Sequence, residues 1–218
     1  MSVALFWSGG KDSLLALDRA RRAGMDVTHL VNIFDQTTAR VRFHGIKKEL
    51  IGAQAVALGK ILVQRGTAAA DFEATFLRLL AQLREQGLRD IVFGNIHLAD
   101  VRAWYEERTT GLEFRHHEPL WGGRPAQLVA EFIARGHRAR VTSVYLDHGG
   151  RSEWLGREFT LEFLRDLEAA ADVDACGERG EYHSYAFAGP LFASAIVTRE
   201  VGRFRSEGHL ILDLDIER

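Results

Sequence analysis

The chain is short of the residues that mark metal clusters, secretion or membranes. A single cysteine, Cys176, in 218 residues excludes an internal disulfide and cannot supply a four-thiolate zinc or iron–sulfur site. No basic excess is present: Lys and Arg number 28 against 30 Asp and Glu, for a formal charge of -2. No overall positive field therefore advertises a nucleic-acid backbone, and RNA binding would need a local patch. No apolar run approaches the roughly 18 residues that a membrane span needs, and the start lacks a basic leader and cleavage site. The expectation is a cytoplasmic protein with no membrane association. Internal repeats, low-complexity segments and long charge runs are also missing. What is abundant is hydrophobic residues, at 46%, enough for a buried core in one large domain or two small ones.

The most informative stretch is Ser8, Gly9, Gly10, Lys11, Asp12 and Ser13, between the apolar run at 3–7 and the helix-like run at 14–20. A buried strand that turns through two glycines into a helix start presents a concave row of backbone N–H groups to an anion beyond the strand's carboxyl end. Phosphate is the expected anion. The glycines permit close approach and positive φ, Ser8 and Ser13 offer hydroxyls, and Lys11 adds a mobile positive charge. As an exposed contact, Lys11 should be removable without loss of the fold. The spacing is not that of a Walker loop.

Along the chain, the pattern predicts strands at 27–34, 61–63 and 90–94 and helices at 46–58, about 72–83 and up to 108. Phe72, Phe76, Leu79, Leu80 and Leu83 form one apolar stripe. This alternation implies an α/β fold with a doubly wound, mostly parallel sheet, whose ligand collects outside the strand tips at the switch in strand order. Asn32, Gly94 and Asn95 stand at such tips beside the glycine loop, as do His44 and His97 at strand-to-helix connections. Val101, Trp104 and Tyr105 read as core, while Arg102 is available to reach phosphate. At Glu118 and Pro119 the character changes, dividing the chain into residues 1–117 and a smaller α+β subdomain at 118–218. There, the pattern predicts helices at about 128–133 and 159–171 and strands at 141–146, 194–198 and 210–216.

A second constellation packs Cys176, Gly177, Glu178, Arg179, Gly180, Glu181, Tyr182 and His183 into one polar stretch, read as a loop that grips a charged or polar substrate. An ordinary surface loop with a glycine bend is the alternative. Cys176 lacks the partner thiols that persulfide relay or cluster chemistry requires, and Glu178 and Glu181 disfavour its thiolate. A zinc site of Cys176, Glu178 and His183 suits the ligand types but has no second cysteine behind it.

The loop at residues 8–13 resembles the PP-loop of the ATP pyrophosphatases. The Cys176–His183 stretch, followed by Gly189, Pro190, Leu191 and Phe192, resembles the C-terminal signature of diphthine-ammonia ligases and their relatives. Pro119, Leu120, Trp121 and Gly122 match an element between the two halves. The resemblance implies sheet order 3-2-1-4-5, with adenine near the second strand's end. It also implies an ATP-dependent amidation: a carboxylate attacks the α-phosphorus, pyrophosphate leaves, and ammonia displaces AMP. ATP and Mg2+ are then the cofactors, and the partners are ATP, ammonia and a carboxylate acceptor, either a small molecule or a modified protein side chain. A homodimer is compatible, and nucleic acid is not expected. Carried onto this chain, the catalytic set is Lys11, Asp12, Glu178, Glu181 and His183. The nucleotide set is Ser8, Gly9, Gly10, Lys11, Asp12, Ser13, Asn32, Gly94, Asn95 and Arg102. Asp12 either holds the metal or caps the helix. The chain departs from the pattern at Asn95, where relatives carry Asp, and at Ala175, where they carry Pro. The alternatives are a non-catalytic adenine-nucleotide-binding regulatory module and a tRNA-modifying PP-loop enzyme.

Overall fold

A computed structural model describes residues 2–217. Its first half alternates strictly: β1 (Ser2–Phe6), α1 (Lys11–Arg22), β2 (Asp26–Asp35), α2 (Lys48–Ala57), β3 (Ile61–Thr67), α3 (Phe72–Glu85), β4 (Asp90–Val92), α4 (Ala99–Gly111) and β5 (Arg115–His117). The five strands pair in parallel in the order β3-β2-β1-β4-β5. The second half contains α5 (Pro125–Ala134), β6 (Arg138–Tyr145), α6 (Leu161–Ala169), β7 (Tyr182–Ala188), β8 (Thr198–Ser206) and β9 (His209–Ile216). Its strands form an antiparallel sheet ordered β7-β6-β9-β8.

The expected doubly wound sheet and its strand order are present, with the smaller antiparallel sheet following. Parallel strands covered on both faces read as unbroken apolar runs, and Val3, Ala4 and Leu5 of β1 are buried accordingly. Helix α1 is buried over most of its length because it is covered on two sides: Leu14, Leu15, Leu17 and Ala20 join a core cluster that continues through Phe132, Val141, Phe163 and Tyr185 of the second half. The opposite face of the parallel sheet holds a separate cluster built on the α3 stripe, where Phe76, Leu79, Leu80 and Leu83 are buried against Ile91 and Phe93. Among the described residues no helix is long and apolar enough to cross a membrane.

Two expectations need correction, and one strand has no counterpart in the pattern. The stretch from Cys176 is not a loop throughout, since Tyr182 and His183 open β7. The strand expected at 194–198 begins only at Thr198 and runs to Ser206, because Ile196 is a buried plug whose amide bonds Phe187 O. Strand β5 shows no apolar pattern; Arg115 and His117 instead both bind the Asp90 carboxylate of β4.

Because β2 and β4 flank β1 on opposite sides, the strand order reverses at the tip of β1. A crevice opens there.

Candidate active site

The residues after β1 are held from both halves of the chain. Gly9 has φ +86, and a Cβ there would lie 2.5 Å from Ile51 Cδ1, so glycine alone fits. Its carbonyl accepts hydrogen bonds from Gln54 Nε2 at 2.9 Å and from the Ala186 amide of β7 at 2.8 Å. Gln54, fully buried, also accepts from Trp7 Nε1 at 2.7 Å and donates to Ala186 O at 2.6 Å. In a trans peptide the carbonyl and the next N–H point in opposite directions. Pinning Gly9 O therefore turns the Gly10 N–H inward, where Ser8 Oγ accepts it at 3.3 Å. Ser13 Oγ donates to Gly10 O at 2.9 Å and lies 3.4 Å from Ser8 Oγ, while Ser184 Oγ accepts the Lys11 amide at 3.1 Å. Gly10 passes so close to β7 that a Cβ would meet Ser184 O at 3.2 Å.

Two chambers meet over this bend. An apolar one of about 370 Å³, walled by Trp7, Phe34, Phe43, Phe72 and Tyr105, reaches Asn32 at the end of β2. A polar one of about 230 Å³ is lined by Lys11, Asp12, Ser13, Gly94, Asn95 and Glu178. Phe6, Ser8, His44, Tyr105 and His183 belong to both linings, so one elongated ligand can occupy the pair. Phe43, at φ +64, stacks with His183, 6.1 Å between ring centroids.

The charge arrangement overturns the reading of Lys11 as a mobile, exposed contact. Lys11 is 3% exposed, donates to Asp12 Oδ2 at 3.0 Å and to Cys176 O, and lies over the Tyr182 ring at 4.9 Å. Burial works against the ammonium, but Asp12 and its other neighbours more than offset this and hold its pKa above the ordinary value. Lys11 is thus a fixed charge in the cleft floor. Burial raises the Asp12 carboxyl against the pull of Lys11, and burial followed by the charge of Asp12 pushes Glu178 up to about 7. His44 is driven down to about 4 by burial, and His183 falls well below its usual range by burial and then by His44. Both imidazoles are neutral near pH 7.

Not all of the expected residues face the cleft. Glu181 is 1% exposed and outside both linings, its carboxylate accepting the amides of Asp174 at 2.7 Å and Arg179 at 3.1 Å; it braces the turn. Arg102 also stays out of the cleft, 3.3 Å from Glu118 and over the Trp121 ring at 4.6 Å. Asn32 is buried, bonding Trp7 O at 2.8 Å and Gln64 at 2.9 Å. His97 pairs with Asp174 at 2.5 Å. Cys176 lines the polar chamber with its thiol pushed up, chiefly by burial and then by Asp12. The sequence reading missed Gln54 and Ser184, whose roles depend on contacts across the two halves and leave no local pattern. Tyr105, read as core, lines both chambers.

Among the described residues no group of three or more His, Cys, Asp and Glu side chains could hold a metal ion unaided. Asp12, which lines the polar chamber, nonetheless fits magnesium, which takes one or two protein carboxylates and completes its shell with waters and phosphate oxygens.

Residues 1–114 match the family model described as diphthamide synthase N-terminal domain, and residues 124–217 match the one described as diphthamide synthase C-terminal domain. Among solved structures, one titled a predicted subunit of tRNA methyltransferase from Methanocaldococcus jannaschii is similar at TM-score 0.45 and 19% identity, over 64% of this chain and 77% of that one. No curated protein matches.

Proposed function

This chain belongs to the diphthamide synthase family, and from that premise we propose that it is an ATP-dependent, AMP-forming ligase that adenylates a carboxylate and amidates it with ammonia. The carrying observation is the continuity of the two chambers across Ser8, His44 and His183. An apolar chamber suits a purine, and the polar one beside a helix N-terminus suits the phosphates. The base enters between Phe34, Phe72 and Tyr105, and the triphosphate crosses Ser8 to face the first turn of α1.

An attacking carboxylate and a polyphosphate repel each other, so the cleft must neutralise charge. Lys11 and the α1 N-terminus do so from the floor. Mg2+ held by Asp12 would supply further neutralisation of the leaving pyrophosphate. Once the acyl-adenylate forms, the nitrogen lone pair attacks the acyl carbon, the bond to the AMP oxygen breaks, and a nitrogen proton must leave. Glu178, poised at about 7, receives it. Neutral His183 and His44 shape the junction between base and phosphates, and residues 118–218 hold the acceptor.

Incubation with ATP, Mg2+, ammonium and candidate carboxylic acids tests this reading. AMP and pyrophosphate should appear together and depend on the acid. Stoichiometric ADP and inorganic phosphate would sink it.

A further inference from the structure

The turn at Glu118–Gly122 lies outside the chemistry above, yet two of its atoms are tied to residues 95 and 96 beside the cleft. Glu118 Oε1 accepts from Asn95 Nδ2 at 2.7 Å and from His116 Nε2 at 3.0 Å. The Gly122 amide donates to Ile96 O at 2.8 Å, while the Ile96 amide donates to Glu178 Oε2 at 3.3 Å. The Glu118 side chain is 3% exposed. Its Oε2 has no hydrogen bond and faces only Arg102 Nε, at 3.3 Å.

A carboxylate accepts and cannot donate. Asn95 meets the Glu118 carboxylate, itself paired with Arg102, through its NH2 end, which leaves the carbonyl Oδ1 as the polar atom for the chamber that Asn95 lines. We propose that Glu118 is a positioning residue for the cleft: it fixes the Asn95 amide so that position 95 presents a neutral oxygen, with the negative charge kept one layer behind the wall. The chamber then carries two carboxylates, Asp12 and Glu178, beside the path of the polyphosphate, rather than three. This inference rests on the reading of the cleft as an ATP site.

The test is a cycle of four proteins: the unsubstituted chain, Asn95→Asp, Glu118→Gln and the double variant. Each is followed by thermal unfolding and by calorimetric titration with ATP, with and without Mg2+. Asn95→Asp sets two carboxylates against each other and should lose several degrees of Tm. Adding Glu118→Gln supplies an N–H donor to the new carboxylate and should recover most of that loss. The double variant moves a negative charge to the chamber wall, so ATP without Mg2+ should bind about tenfold more weakly than to the unsubstituted chain. Mg2+ should close most of that gap, which a purely structural role would not do. The inference is overturned if the two substitutions are additive in Tm, or if the double variant binds ATP like the unsubstituted chain in both conditions. If the unsubstituted chain binds no ATP, the ligase reading fails and this inference with it, an outcome separable from a cycle in which ATP binds and only the variants fail to differ.

Discussion

Replacing Glu178 with Gln removes one negative charge while keeping shape and the ability to accept the Ile96 amide. Burial and Asp12 move this carboxyl from its ordinary 4.5 up to about 7. Between those values the folded chain retains the proton and the unfolded chain has released it, so stability must fall as pH rises through the window. Each pH unit costs the folded state about 1.4 kcal/mol. Across the window of about 2.5 units this one group removes about 3 kcal/mol, all of it expressed above pH 7. Glu178→Gln abolishes the penalty. Urea unfolding from pH 4 to 9 should therefore find the variant and the unsubstituted chain alike near pH 4, the variant increasingly more stable up to pH 7, and a constant difference beyond. Under the proposed reaction, amide formation should be lost in the same protein, since Glu178 is its proton acceptor there. A stability difference independent of pH, or a variant less stable at pH 8, would refute the reasoning.

Lys11→Met should cost about 3 kcal/mol, because it leaves the Asp12 carboxylate without its partner; the pair Lys11→Met with Asp12→Asn should recover part of this in urea titrations, and a neutral single substitution would contradict the buried pair. Gln54→Leu deletes the bonds to Trp7, Gly9 and Ala186 and should destabilise by about 2–3 kcal/mol, with ATP affinity falling as the bend loosens; calorimetry showing unchanged affinity would remove Gln54 from the clamp. Cys176, 2% exposed and raised by burial, should react with a thiol-specific disulfide reagent at least 100-fold faster in denaturant than in the native protein at pH 8. Rapid stoichiometric labelling of native protein would contradict that environment.

Sequence pattern alone recovered the elements whose burial is periodic or continuous: β1, β2, the α3 stripe and the Gly9–Gly10 bend. It failed where stability comes from contacts that period cannot encode. Strand β5 is three polar residues held by one aspartate of its neighbour. Strand β7 looked like part of a substrate loop because Tyr182, His183 and Ser184 are polar, yet this strand walls the cleft with those polar groups. For the site, the loop named its own amides and hydroxyls correctly as neighbours, and Asp12, Asn95 and Glu178 do meet around one chamber. Lys11 was legible as a charge but not as a buried one, since Tyr182, Cys176 and Phe159, which surround it, arrive from more than 140 residues away. Glu181 could not be told from Glu178 by composition; which carboxylate faces the chamber is decided by the turn at Gly180.

The bend at residues 8–13 takes its shape from partners that lie far along the chain. Lys11 waits for Ser184, 173 positions later, and Gly9 waits for Ala186 in the same strand. Contacts of such large sequence separation form slowly, and until β7 docks the bend has no outer wall. A chain ending just before residue 182 lacks the acceptor of the Lys11 amide and the amide that caps Gly9 O, so the first sheet by itself carries only half of the bend.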